Sequence, residues 1–235
     1  MYNPQDSIDK TYNYIQGLRA KGKSYGGYPV YNVTKDDLQA LMDITNKYGI
    51  PFEWMVNLIN FESGRTFNPA IQNSIGATGL IQFMPSTAIG LGTTTSILSK
   101  MTFKQQLVYV DKYLYKSLKK HLVGGKIPNT FTQGDLFMTI FTPAAIGNPN
   151  YQFNADTTKA NAGIKTPYDY TSRALNAAVF PLEAFPYTIS EVKKKYGNIV
   201  TTKNVWIAII AIIVIILAVL LFIYRQKIAT YITKL

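Results

Sequence analysis

PFEWMVNLINFESGRTFNPAIQNSIGATGLIQFMPSTA, residues 51–88, is the stretch whose reading decides the fold. Pro51 suits a first helical turn, and Gly64 supplies a stop. Between them Met55, Leu58, Ile59 and Glu62 fall at i, i+3, i+4 and i+7, so the glutamate projects from the apolar face of the helix. It also lies in the last turn, near the negative end of the helix dipole. Both effects disfavour the charged form and predict a raised pKa. A carboxyl group kept protonated near neutrality is equipped to act as a general acid. The plain alternative is a solvated helix-end glutamate.

Working outward, Thr34 and Asp37 fit a capping box, with Leu38, Leu41, Met42 and Thr45 at helical spacing behind it and Gly49 as a stop. Downstream, residues 68–95 are dominated by Gly, Pro and Thr, which predicts loops and one short helix. Helical spacing returns over 102–122, through Leu107, Val110, Leu114 and Leu118, and over 132–141. No long run alternates with period two, and no internal repeat is present. The expectation is a mainly α-helical domain over 34–190, preceded by a flexible polar arm at 1–33 rich in Gly, Tyr and Lys.

Residues 205–224, VWIAIIAIIVIILAVLLFIY, carry no charge. At 1.5 Å per residue they would span about 30 Å, a bilayer's hydrocarbon thickness. Trp206 and Tyr224 stand at the two ends, as interfacial aromatics do. The reading is a single transmembrane helix meeting the lipid bilayer, with a basic polar tether at 191–204 and a short basic tail at 225–235. Basic residues flank the stretch on both sides, so sidedness stays open.

The totals narrow the function classes. The 235 residues suffice for one domain with appendages. There are no cysteines, which excludes disulfides and thiolate metal sites. The single histidine, His121, sits in the basic run Lys119-Lys120-His121 and reads as a solvated helix end. A Ser-His-Asp triad or a histidine metal site would depend on it, and neither a metal nor a cofactor is expected. The formal charge of +11 suggests an anionic partner: a wall polymer, anionic lipid or nucleic acid. No feature singles out a specific nucleic acid, and charge kept for solubility alone is the rival explanation.

Beyond Glu62-Ser63-Gly64 come Phe67-Asn68-Pro69-Ala70 and then Gly76-Ala77-Thr78-Gly79-Leu80-Ile81-Gln82-Phe83-Met84-Pro85-Ser86-Thr87-Ala88. This closely resembles the lytic transglycosylase family, relatives of goose-type lysozyme. Those enzymes carry an E-S motif, an F-N-P-x-A segment and a G-A-x-G-L-M-Q-x-M-P-x-T-A signature. The resemblance is strong over 61–88 and weaker to about residue 173. It implies a lysozyme-like helical lobe with a cleft for peptidoglycan glycan strands. It makes Glu62 the catalytic acid/base and Ser63 the residue that orients its carboxylate. Gly79, Leu80, Ile81, Gln82 and Phe83 would line the cleft, with Gln82 hydrogen-bonding the sugar. Relatives often place a tyrosine of a Y-N-A-G motif against the glutamate. Here that stretch reads Phe141-Thr142-Pro143-Ala144-Ala145-Ile146-Gly147, which lacks the hydroxyl. Tyr168 and Tyr170 are the candidates to supply one.

Hydrolytic glycosidases generally need two carboxyl groups flanking the bond. The other acids, Asp111, Asp135, Asp169 and Glu183 among them, are scattered and form no obvious pair with Glu62. The expectation is therefore cleavage of the MurNAc–GlcNAc bond with closure of a 1,6-anhydro ring. A lysozyme-type hydrolase and a non-catalytic peptidoglycan-binding or virion structural protein are the alternatives. A wall-cutting domain on a terminal anchor would suit a bacteriophage protein. Virion capsid or membrane proteins are then candidate partners, and the bacterial envelope is the alternative setting.

Overall fold

The architecture follows from how helix α3 is buried. In the computed structural model, which describes residues 3–180 apart from 162 and 177, α3 spans Phe52–Glu62. Every residue from Phe52 to Asn60 is buried. A helix buried all round needs partners on every side, and α3 has them. Helices α1 (Pro4–Ala20), α2 (Lys35–Tyr48), α7 (Gln133–Phe141) and α9 (Pro167–Leu175) pack around it. Helix α6 (Phe103–Leu118) packs on α2 and α7, burying Phe103, Leu107, Val110, Leu114 and Leu118. Three short helices, α4 (Pro85–Gly90), α5 (Thr95–Leu98) and α8 (Ala155–Ala160), lie in the connections. The strands described are β1 (Ser24–Tyr25) and β2 (Tyr28–Pro29), a small antiparallel hairpin. These described residues all fall in one compact unit, Asn3–Val192.

The expectation of a mainly helical domain agrees with this arrangement. Its transmembrane component is corrected: among the described residues no helix is long and apolar enough to cross a membrane. The longest of them, α1, has 17 residues, or about 26 Å, and carries Asp6, Asp9, Lys10 and Arg19. Residues 205–224, on which the expectation fell, lie outside the described residues, as do 191–204, 225–235 and Glu183.

The N-terminal segment also departs from the flexible arm expected of it. Asn3 caps α1 by accepting from the Gln5 N–H, and Pro4 occupies the first turn. The buried face consists of Ser7, Ile8, Thr11 and Ile15. It is half polar, and its polar members are satisfied internally. Ser7 Oγ donates to Glu53 Oε1 at 2.5 Å, and Thr11 Oγ1 donates to the Ser7 carbonyl at 2.8 Å. A face of this composition gives little hydrophobic periodicity, although it closes one side of α3.

Helix ends are set by local chemistry. Thr34/Asp37, Thr102/Gln105, Thr132/Asp135 and Thr166/Asp169 each form a complete capping box, at the starts of α2, α6, α7 and α9. Helix α2 ends on Gly49 in the left-handed conformation, φ 69°. Helix α6 stops at Leu118, four residues short of the expected 122. The chain there turns through Gly124 and Gly125, both at positive φ, within a Val123–Lys126 bridge.

Candidate active site

Glu62 is the last residue of α3, where the buried helix reaches the surface of the fold. Its residue is only part-buried. The carboxyl group itself is surrounded by protein, and this desolvation pushes its pKa up to about 7. A hydrogen bond from the Tyr170 hydroxyl to Glu62 Oε1, at 2.8 Å, acts in the opposite direction and lowers it. Among the described residues no other carboxylate contributes to the shift.

Tyr170 is held by aromatic packing. It is 6% exposed, stacks on Phe141 at 4.1 Å and meets Phe61 edge-on at 5.5 Å. Phe137 completes the cage at 6.3 Å. Burial, reinforced by the neighbouring Glu62 charge, raises the phenol's pKa well above its ordinary value. The ring thus remains a neutral donor. Phe141 occupies the expected motif position, but it supplies the stacking surface and α9 supplies the hydroxyl. Tyr168 is 59% exposed.

Tyr113, on α6, is a neighbour the sequence reading missed. Burial raises its pKa first, and the Glu62 charge adds to the rise. Its hydroxyl donates to the Thr139 carbonyl at 3.1 Å, and its ring meets Phe83 edge-on at 6.1 Å. Phe83 ends the tight loop Gly79–Gln82, closed by paired backbone bonds between Thr78 and Phe83 of 3.0 and 2.8 Å. This loop is the segment expected to line the cleft. Leu80, Ile81 and Phe83 are 0–2% exposed, with their side chains in the core, so the loop offers its backbone rather than these side chains at the surface. Within 79–83 only Gln82 keeps a partly exposed side chain. Its Nε2 donates back to the Gly79 carbonyl at 3.1 Å.

The loop is fixed from beneath by Gln106, also missed. Its Oε1 accepts from the Leu80 N–H at 2.7 Å, and its Nε2 donates to the Pro69 and Leu98 carbonyls at 2.9 Å each. A Cβ added at Gly79 would lie 2.2 Å from Gln106 Oε1, and Gly79 has φ 86°, so only glycine fits. Gln106 was legible as an amide on the apolar face of α6, fully buried between Phe103 and Leu107.

Ser63 does something other than expected. Its Oγ donates to the Ile59 carbonyl at 2.6 Å and accepts from the Phe67 N–H at 2.9 Å. It therefore ends α3 and ties down the following turn, and positions Glu62 through the backbone alone. Non-glycine residues with positive φ among those described are Arg65, Phe67 and Gln82, all in the two loops beside Glu62. Such conformations cost energy and persist where surrounding bonds over-determine them.

Among the described residues, four other acids are engaged away from Glu62. Asp111 pairs with Lys47 at 2.8 Å and accepts from the Tyr48 hydroxyl at 2.6 Å. Asp135 and Asp169 close capping boxes, and Asp135 also accepts from the Gly147 N–H. Glu53 is buried against Ser7. Among the described residues no three His, Cys, Asp or Glu side chains gather as a metal site.

Residues 39–107 match the family model of the transglycosylase SLT domain. The match runs from α2 into α6, so it includes Glu62, Gln82 and Gln106 and stops short of Tyr113 and Tyr170. It supports a lytic transglycosylase, an enzyme acting on peptidoglycan. No curated protein and no solved structure matches the chain significantly.

Proposed function

We propose that the chain cleaves the β-1,4 bond between MurNAc and GlcNAc in peptidoglycan without water, with Glu62 as its single acid/base. The observation that carries this reading is a carboxyl group that burial raises to a pKa of about 7, hydrogen-bonded by one phenol and, among the described residues, without a carboxylate partner. At neutral pH about half of such groups carry the proton. The Tyr170 hydroxyl occupies Oε1, which leaves Oε2 to meet the substrate. Protonated Glu62 gives its proton to the glycosidic oxygen as the bond to C1 breaks. The resulting carboxylate takes the proton of the MurNAc 6-hydroxyl, whose oxygen closes on C1 to form the 1,6-anhydro ring. The hydroxyl belongs to the same sugar, so its effective concentration is very high.

Hydrolysis would require a second group to activate water on the other face of the sugar. Asp111, Asp135 and Asp169 are each held by the caps and pairs described above. The test is a digest of purified peptidoglycan by the full-length chain, with the muropeptides analysed by mass before and after borohydride treatment. The expected fragments are about one water lighter than reducing-end fragments and resist reduction, since no water entered the step. A digest dominated by reducible MurNAc ends would identify a hydrolase instead.

A further inference from the structure

The β1–β2 hairpin lies outside the matched segment 39–107, yet it is built onto the turn that follows Glu62. The Tyr25 ring covers Gly64 so closely that a Cβ there would lie 2.5 Å from it. The strand then runs alongside the next loop. The Tyr31 N–H donates to the Thr66 carbonyl at 2.8 Å, and Asn68 Nδ2 donates to the Pro29 carbonyl at 2.9 Å. Beside this seam the hairpin borders an open surface cavity of about 390 Å³, lined by Tyr28, Ala70, Gln72, Thr95, Ser96 and Ser99. Three separate elements build its walls: the hairpin, the loop after Glu62 and helix α5.

We infer that this cavity is a saccharide subsite, added by the N-terminal hairpin, that holds a neutral N-acetylated hexosamine unit of a glycan strand reaching across from Glu62. The lining has the chemistry such a ring requires. The Tyr28 ring in the lining is of the kind that packs on the C–H face of a pyranose. Three hydroxyls and an amide suit its hydroxyl and acetamido groups. The volume lies within the about 300–1,000 Å³ usual for small-ligand sites. No lysine, arginine, aspartate or glutamate lines it, although the chain carries +11. A phosphate or the carboxylates of a stem peptide would find no counter-charge there, so the occupant is the uncharged sugar.

The inference rests on the glycan-cleaving reading for its choice of ligand, but its test is separable. The full-length chain carrying Glu62→Gln is titrated with a dimer and a hexamer of β-1,4-linked N-acetylglucosamine, by calorimetry and amide chemical shifts. The hexamer is expected to bind more tightly than the dimer and to shift the amides of Thr95, Ser96 and Ser99. Adding Tyr28→Ala, or Ser96→Trp to fill the cavity, is expected to weaken hexamer binding by about tenfold, which is the loss of one modest contact set. Ser96 is exposed, so Ser96→Trp keeps the test readable if Tyr28→Ala melts the hairpin. Equal affinities for hexamer and dimer, no hexamer binding, or unchanged affinity in Ser96→Trp would each overturn the subsite. A Glu62→Gln chain that still digests peptidoglycan would instead sink the catalytic assignment, while the binding comparison still reads the cavity.

Discussion

At Glu62 burial and the Tyr170 hydroxyl pull in opposite directions, and single substitutions separate them. Glu62→Gln keeps the shape and removes the transferable proton, so peptidoglycan turnover is expected to fall by about two to four orders of magnitude. The same change should alter stability in a pH-dependent way. The folded pKa of about 7 lies above the ordinary 4.5. A group raised in this way contributes stability below its unfolded pKa and loses it as pH rises through the folded one. Denaturant titration should therefore show Glu62→Gln matching the wild type below about pH 4 and exceeding it by on the order of 1–3 kcal/mol at about pH 9. A solvated helix-end glutamate would show neither effect. Because the first step needs the protonated acid, kcat/KM should decline as pH rises through about 7. Tyr170→Phe removes the donor that favours the carboxylate, so that alkaline limb should move to higher pH, with activity lower by roughly tenfold. A limb that stays in place would show that the phenol does not tune the acid.

Elements are held by short-range devices whose worth differs with burial. The four Thr-based capping boxes stand at exposed or half-exposed helix starts, where losing a cap costs about 1 kcal/mol. At the site loop the penalty is larger. Gly79→Ala meets the Gln106 amide at 2.2 Å in a left-handed conformation, and thermal melting should show a loss of roughly 1–3 kcal/mol together with weakened activity. A neutral outcome would mean that the loop can rearrange around Gln106. Helix α1 offers a parallel case in the Ser7–Glu53 pair. Ser7→Ala withdraws a donor from a buried acid, which typically costs about 1–3 kcal/mol. If the N-terminal segment were a loose arm, the change would be silent in a denaturant titration.

For the whole molecule, the charge of +11 would favour encounter with an anionic wall polymer, an effect separable from the chemistry at Glu62. Binding to intact sacculi that retain anionic polymers should weaken as salt is raised, since exposed charges are screened beyond about 10 Å at 0.1 M. Turnover of short neutral glycans should respond far less. Equal salt sensitivity for both substrates would place the basic residues in the cleft itself.

Read alone, the sequence specified α2, α3 and the apolar stripe of α6, because hydrophobic spacing and capping residues act over a few positions. It singled out Glu62 for the same reason: a carboxylate on an apolar helix face predicts its own desolvation. It misplaced Ser63, whose hydroxyl could be assigned only once the Ile59 carbonyl and Phe67 N–H were seen beside it. It also read α1 as loose, because Ser7 and Thr11 are polar letters whose partners lie across the fold. Between Tyr168 and Tyr170 it had no means of choosing. That choice depends on which face of α9 turns inward, and only packing against Phe61, Phe137 and Phe141 sets the face. The donor and the acid stand 108 residues apart. A contact across that separation comes from how α3, α7 and α9 pack together, which no local pattern in the chain encodes.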